Sequence, residues 1–382
     1  MLGRTRHLPR HPPAAPGALN VLTLFVACAP GLEALLAAEL TSLGLSDVRG
    51  EPGGAIVRGH PSVVSTICLR SGLANHVRLR VGEPFEVRHF DKLVKKTAAL
   101  PWSELLRPGT RVKAHAVCRK SRLYHSGGAA QRVEAGIAKA IGPAVEGAPE
   151  LTVAVRIIRD ECVISLDLSG EALHRRGWRQ QTAKAPLRED LARALLIVSG
   201  WTPDRSLFDP LMGAGTLVIE AATMARAMAP GLGRRFAFED TKLDASAALQ
   251  EQRTAARAEV LPELTTQLVG RDHMAGAVEA AHGNAERAGV LEDVTLLRGE
   301  LSEPWPRLGA AHVVTNPPYG IRVGEASGVH NLYTSVGEGI RASGWPFGIV
   351  IADRRFVRSL GLSLQPKLTT DHGGIKVSYY AG

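Results

Sequence analysis

The chain has 382 residues, 45% of them apolar and 22% charged, an ordinary globular composition that excludes disordered, collagenous and coiled-coil classes. This length exceeds a single hydrophobic core and suits two or three domains. The formal charge of +9 is unevenly placed: residues 1–190 carry 27 basic and 17 acidic side chains, net +10, whereas residues 191–382 carry 19 and 20, net −1. Such asymmetry points to a polyanion-binding half joined to a half with a different task.

Cys28, Cys68, Cys118 and Cys162 lie tens of residues apart, so they offer neither zinc spacing nor a disulfide framework. No stretch reaches the roughly 18 uninterrupted apolar residues of a spanning helix, and no membrane partner is expected. At the N-terminus, Arg4, Arg6 and Arg10 precede the apolar run Leu19–Ala29, which imitates a secretory signal. Asn20 and Thr23 interrupt that run, and Pro30-Gly31 then opens an amphipathic helix. The expectation is a Pro-rich disordered tail over 1–19, then a buried strand, in a cytoplasmic protein with reduced thiols.

In chain order, Leu22–Ala29 reads as a strand by length and apolar content. A helix follows from Pro30, with Leu32, Leu35, Leu36, Leu40 and Leu43 on one face and Gly44 as its stop. A strand at Gly54–Arg58, a helix at Ser62–Ser71, a strand at His76–Val81 and a helix at Asp91–Leu106 broken by Pro101 come next. Thr110–Arg119 alternates with period two, Val112, Ala114 and Ala116 to one side and Arg111, Lys113 and His115 to the other. Gly127–Ile141 is helical, and Leu151–Ile158 with Val163–Leu168 form a hairpin. Together these describe an α+β module on small sheets. Its cations cluster as Lys92, Lys95 and Lys96; Arg119, Lys120 and Arg122; Arg132; and Arg175, Arg176 and Arg179. One such cluster alone reads as a solvated face, but several in a net +10 module point to phosphate contacts. Tyr124, His125 and Trp178 lie beside them and serve either packing or the stacking of unpaired bases.

From Leu187 the pattern becomes βαβα, as in a doubly wound parallel sheet. After a helix over Pro186–Ser199, with Leu187, Leu191, Leu195, Ile197 and Val198 available to the core, a strand runs into Asp209-Pro-Leu-Met-Gly213-Ala-Gly215-Thr216 and a long helix. Gly213 and Gly215 allow close backbone approach to a ligand at the carboxyl end of that strand. The string is neither G-x-G-x-x-G nor a P-loop, and it suits S-adenosylmethionine (SAM). A second strand ends at Asp272, a carboxylate placed for ribose hydroxyls or for capping the following helix. A third ends at Glu300, placed for an adenine amine or simply in a surface loop. A fourth, Ala311–Thr315, runs into Asn316-Pro317-Pro318-Tyr319-Gly320, the most specific string in the chain. Two prolines remove two donors and fix φ, leaving a rigid wall with free carbonyls. The Asn316 oxygen and the Pro317 carbonyl can accept both hydrogens of an exocyclic amine, with Tyr319 offering a face to the base. Orientation of a weakly nucleophilic aromatic amine against a sulfonium methyl lowers the barrier, and this chemistry needs no metal.

These motifs resemble the class I SAM-dependent RNA methyltransferases with an N-P-P-Y motif. Leu173-His-Arg-Arg-Gly-Trp178, Ala185-Pro-Leu-Arg-Glu189, Ser199-Gly-Trp201 and Asp209 through Ala222 resemble, more narrowly, the bacterial large-subunit rRNA guanine N2-methyltransferases. Pro30 through Leu40 and Ile164 through Gly170 fit the same family. The resemblance implies a ferredoxin-like segment over 20–62, a THUMP RNA-binding domain over 63–170, a linker over 171–185 and a Rossmann-like methyltransferase domain over 186–382. It implies that Asp209, Gly213, Gly215 and Thr216 hold SAM, Asp272 its ribose and Glu300 its adenine, with Arg188 near the methionine end. Asn316, Pro317, Pro318 and Tyr319 would hold the target guanine. Lys95, Lys96, Arg119, Lys120, Arg122, Arg132, Arg175 and Arg176 would bind the RNA. Met212-Gly-Ala-Gly215 stands where the family usually has Cys-Gly-Ser-Gly, and Glu300 where it usually has Asp; both keep shape or charge class. The second methyltransferase domain of some members is absent from these residues. The expected substrate is structured rRNA, with tRNA as the alternative and a non-catalytic RNA-binding assembly factor as the reading from another class. A monomer or weak oligomer is expected.

Overall fold

The computed structural model describes residues 21–181, 187–243, 245–320 and 326–382, apart from the side chains of 326 and 327. The expected tail over 1–19 and most of the linker's end lie outside the described residues. In the first half the elements are β1 (Leu22–Ala27), α1 (Glu33–Ser42), β2 (Asp47–Glu51), β3 (Gly54–Gly59), α2 (Ser62–Arg70), β4 (His76–Arg80), β5 (Phe85–Glu86), α3 (Phe90–Ala98), α4 (Trp102–Leu105), β6 (Arg111–Arg119), α5 (Ser126–Ile141), β7 (Glu150–Ile158) and β8 (Glu161–Asp167). Leu22, Leu24 and Val26 are buried at period two along β1, and Leu32, Leu36 and Leu40 at helical spacing along α1. Pro101 separates α3 from α4 as expected, because it removes a donor the helix needs. Sequence reading missed β2, whose exposed residues Asp47, Arg49 and Gly50 carry little apolar signal.

The small sheets expected from sequence are one sheet of eight strands, in the order β2-β3-β1-β4-β8-β7-β6 with β5 also on β8. The join is the antiparallel pair β4–β8, Arg78 opposite Asp167 and Arg80 opposite Ser165. A pairing across more than eighty residues leaves no local trace. Asp167 secures this seam. Its Oδ1 accepts from the Ser169 and Gly170 N–H groups and the Ser169 hydroxyl, while Oδ2 lies 2.9 Å from His76 Nδ1 and 3.6 Å from Arg78 Nε. Burial pushes its carboxyl up, but hydrogen bonding and charge from His76, with Ser169 and Arg78, hold it below the ordinary carboxylate range.

The second half contains α6 (Glu189–Val198), β9 (Ser206–Asp209), α7 (Thr216–Ala225), α8 (Ser246–Ala258), β10 (Leu268–Asp272), α9 (Ala275–Ala288), β11 (Val294–Arg298), β12 (Ala311–Thr315), α10 (Ala326–Ser343), β13 (Phe347–Ile351), α11 (Arg355–Ser359), β14 (Pro366–His372) and β15 (Ile375–Ala381). They build a seven-stranded sheet, β11-β10-β9-β12-β13-β15-β14. The pairs from β11 to β13 are parallel and both pairs of β15 are antiparallel. Every residue of β9, β10, β12 and β13 is buried, as a parallel sheet covered by helices on both faces requires. Helix α8 and the closing antiparallel hairpin β14–β15 lie outside the elements expected from sequence. Ile197, expected in the core, is 38% exposed.

The two halves meet through a buried charge network, and here a second expectation is corrected. Arg176, read from sequence as an RNA contact, has a side chain only 3% exposed. Its guanidinium donates to the carbonyls of Leu173 and Gly72 at 2.7 and 2.6 Å and meets Glu220 at 3.4 Å, while Arg193 Nε reaches the other Glu220 oxygen at 3.1 Å. A Cβ at Gly72 would stand 2.1 Å from Arg193 Cδ, so a side chain there would have to displace the Arg193 arm. A cluster of arginines in sequence does not reveal which one turns inward. Trp178 is likewise buried rather than a stacking platform. His125 caps α5, its Nδ1 accepting from the Gly128 N–H at 2.7 Å.

Replacing Asp167 with Ala should lower stability by about 3 kcal/mol, as loss of one partner from a buried ionic cluster does, measured by chemical denaturation at neutral pH. Because the folded carboxyl titrates below its unfolded value, the contribution is present above the unfolded pKa and is lost as pH falls through the folded one. The gap between wild type and Asp167→Ala should therefore narrow in acid.

Candidate functional site

The chain leaves β9 toward β10 and β11 on one side and returns to β12 on the other. Parallel strands diverging in this way leave a crevice at their carboxyl ends. The predicted residues gather there: Asp209 ends β9, Asp272 ends β10, Glu300 follows β11, and Asn316 follows β12.

Asp209 is 1% exposed. Its Oδ1 accepts from the Thr315 hydroxyl at 2.7 Å and from the Leu211 N–H at 3.1 Å. These two bonds fasten the end of β9 to the end of β12. Burial raises the Asp209 carboxyl to about 7, with Asp272 adding to the rise and the bonds from Thr315 and Leu211 opposing it. The glycine turn follows with φ of +53° at Gly213 and +83° at Gly215, left-handed conformations that other residues adopt only under strain. A Cβ at 215 would also stand 3.0 Å from the Ala281 Cβ of α9. Thr216 begins α7 and is buried.

Asp272 is 9% exposed, and its carboxylate accepts from backbone groups on two sides. Oδ1 accepts from the Met274 N–H at 2.9 Å before α9, and Oδ2 accepts from the Gly213 N–H at 3.0 Å. The carboxylate thus shapes the glycine turn, and each oxygen keeps a lone pair for a ligand hydroxyl. Glu300 is exposed in the loop after β11. Its backbone N–H donates to Glu303 at 2.7 Å, and buried Arg271 collects the carbonyls of Glu300, Glu303 and Pro304 at 3.4, 3.2 and 2.9 Å. Arg271 and Thr315 therefore organise the crevice, and sequence reading missed both because each sits inside a strand where only its partners reveal its function. Asn284 is a third: from α9 it donates to the Ala214 carbonyl of the glycine turn and to the Gln181 carbonyl, each at 3.0 Å. Arg188 stands immediately before α6, pairing with Asp190 at 2.7 Å and with the Asn75 side chain at 2.8 Å. It links the two halves rather than projecting freely.

The N-P-P-Y segment leaves β12 with Pro317 buried, Pro318 exposed and Asn316 half-buried. Tyr319 differs from expectation. Its ring is 8% exposed, and its hydroxyl donates to Asn316 Oδ1 at 3.0 Å. The hydroxyl, not an open ring face, is what Tyr319 turns toward Asn316, because the residue is buried and its ring meets His372 of β14 edge to face. Burial pushes its phenol well above the ordinary range. Donors, acceptors and glycine turn together form a set suited to an adenosyl ligand beside an amine-bearing planar base.

On the first half, several of the predicted cations lie near the end of β6. Arg119 ends β6, and Lys120 and Arg122 follow it into the turn where Asp160 accepts from the Arg122 N–H at 2.7 Å and lies 3.3 Å from Arg88 Nε. Arg132 lies over the Phe90 ring at 5.7 Å, and Lys96 over Phe85 at 5.0 Å, with Lys95 exposed on the same helix. Tyr124 is 83% exposed among them. Arg175 is exposed on the connector and paired with Glu171. Among the described residues no group of three or more His, Cys, Asp or Glu is placed to hold a metal ion, and no helix is long and apolar enough to cross a membrane.

Asp209→Asn keeps an acceptor for Thr315 and Leu211 but cannot ionise. A carboxyl with a raised folded pKa contributes stability that is complete below its unfolded value and lost as pH rises through about 7. Thermal melts should therefore show the variant gaining on wild type between pH ~4 and pH 7, and a constant difference would contradict the assignment.

Comparisons with known proteins bear on the family and the fold. The family described as RMKL-like, methyltransferase domain, matches residues 176–376, the RlmL ferredoxin-like domain matches 23–78, and the THUMP domain matches 87–167. The ribosomal RNA large subunit methyltransferase K/L of Syntrophotalea carbinolica is 35% identical over 361 residues, 88% of this chain and 50% of that relative. Its counterpart in Chromohalobacter salexigens is 36% identical over 373 residues, 92% of this chain and 51% of that relative. The chain thus spans about half the length of the curated relatives it matches. A methyltransferase solved in complex with SAH superposes with a TM-score of 0.89 at 28% identity, covering 95% of this chain and 98% of the other. The expected fold class, ferredoxin-like and THUMP modules before a class I methyltransferase domain, is borne out. The methyltransferase-domain match takes in more than half of the residues, and the chain belongs to the RMKL-like methyltransferase-domain family.

Proposed function

We propose that the protein transfers a methyl group from S-adenosylmethionine to the exocyclic N2 amine of a guanine in large-subunit rRNA. The observation that carries this reading is the tie between Asp209 and Thr315, which sets the glycine turn and the Asn316 strand end side by side across one crevice. Relatives named as ribosomal RNA large subunit methyltransferases and a solved neighbour complexed with SAH support it. S-adenosylmethionine supplies an electrophilic methyl on a sulfonium.

The chain's own residues would bind and orient. The Gly213–Gly215 turn admits close backbone contact, Asp272 takes ribose hydroxyls, and Glu300 takes the adenine amine, its loop held by Arg271. Asn316 Oδ1 and the Pro317 carbonyl accept the two hydrogens of the guanine amine, directing its lone pair toward the methyl. Those hydrogen bonds strengthen as the nitrogen gains positive charge, so they stabilise the transition state more than the ground state. The cations around Arg119–Arg122, Lys95, Lys96 and Arg132 hold the RNA backbone while the target base leaves its stack.

Asn316→Ala should lower methyl transfer by about 100-fold or more while SAM affinity stays within about twofold, read by nucleoside mass spectrometry of treated 23S rRNA and by binding of labelled SAM. A chain that binds no SAM would instead be a non-catalytic RNA-binding factor. Neutralising Lys95, Lys96, Arg119, Lys120 and Arg122 together should weaken RNA binding and reduce its salt slope by roughly 0.7–0.9 for each phosphate no longer engaged. An unchanged slope would place the RNA elsewhere.

A further inference from the structure

We infer that His372 is a positioning residue for the base-handling end of β12, acting through Tyr319; this rests on the methyl-transfer reading above. His372 is the last residue of β14. Its place is set by the turn to β15, where Gly373 and Gly374 have φ of +62° and +84° and the Asp371 carboxylate accepts from the Gly374 N–H at 2.9 Å. From there its Nδ1 lies 2.9 Å from the Tyr319 hydroxyl, and the two rings meet edge to face, centroids 5.9 Å apart at 84°. The same hydroxyl is 3.0 Å from Asn316 Oδ1. One phenol oxygen thus bridges Asn316 and His372, residues on two different strand ends.

The chemistry of this chain of contacts is directional. A tyrosine hydroxyl has one hydrogen to give and lone pairs to accept with, whereas an amide side chain has an acceptor end and a donor end. With the hydroxyl donating to Oδ1, the Asn316 amide is locked with its oxygen toward Tyr319, and the second lone pair of that oxygen remains for an incoming amine hydrogen. A flipped amide would present –NH2 to the guanine amine, donor against donor, and hold nothing. The hydroxyl keeps its direction only while the ring is fixed, and His372 fixes it twice, by the hydrogen bond and by the edge-on ring contact. A buried hydroxyl that loses a partner re-pairs where it can. Without the imidazole the buried phenol loses one of its two hydrogen-bond partners, so its hydroxyl can re-pair away from Asn316 and release the amide to flip. Because His372 acts on the Asn316 end of the crevice, its effect belongs to the methyl-transfer step rather than to cofactor affinity.

The test measures kcat and the SAM KM of the full chain on deproteinised 23S rRNA. His372→Ala should lower kcat about tenfold, equal to about 1.4 kcal/mol, with KM for SAM unchanged within about twofold. His372→Gln, which can still hydrogen-bond the phenol, should recover most of that loss. Tyr319→Phe and His372→Ala combined should be no worse than Tyr319→Phe alone, because the two act as one unit. Wild-type kcat in His372→Ala, a loss seen only in KM, or additive losses would each overturn the assignment. If the wild-type chain methylates no RNA, the methyl-transfer reading fails, and the contact is judged on its own by the imidazole nitrogen resonances of 15N-histidine-labelled protein. The His372 signal should shift in Tyr319→Phe, and an unmoved signal overturns the contact.

Discussion

The hydrogen bond between the buried Asp209 carboxyl and the Thr315 hydroxyl holds the functional crevice together. β9 and β12 are paired in parallel up to Phe208 and Val313, and the connections that follow them turn to opposite sides. A carboxyl removed from water is costly unless its oxygens are satisfied. Here Thr315 and the Leu211 N–H satisfy one of them, and together these contacts specify a single separation between the glycine turn and the Asn316 segment. Asp272 adds the next constraint by gripping the Gly213 N–H, and Arg271 draws the Glu300 loop inward by its carbonyls. The crevice is thus built from backbone groups positioned by buried polar side chains, which suits the recognition of a nucleoside-sized ligand.

A second constraint connects this crevice to the charged module. Glu220, on the helix that leaves the glycine turn, is buried between Arg176 and Arg193, and Arg176 reaches across to the Gly72 carbonyl. Removing any one member would strand a buried charge, so the two sheets are held in one relative placement. The first module and the methyltransferase module are therefore joined through buried, paired charges.

Much of this was legible in sequence because the signals are local. The period-two burial of β1, the one-sided leucines of α1, the break at Pro101 and the βαβα rhythm after Leu187 all follow from side-chain periodicity and proline geometry. The residues that line the crevice were legible as well, since glycine turns and a double proline restrict the backbone by their own chemistry. What escaped was pairing and orientation. The β4–β8 seam makes one sheet of what reads as small separate sheets, β2 has too little apolar content to declare itself, and Arg176 is indistinguishable in sequence from exposed Arg175.

The sequence by itself determined the two-part division of charge, the class of each half and the strand ends where chemistry concentrates, because these depend on composition, periodicity and residues whose backbone freedom is intrinsic. Only the tertiary structure decided which arginine is structural, that Thr315, Arg271 and Asn284 brace the crevice, and that Tyr319 turns its hydroxyl rather than its ring to Asn316. Each of these depends on a partner brought in by the fold, and the energy of a buried polar group is set by the partner it meets, not by its neighbours in sequence.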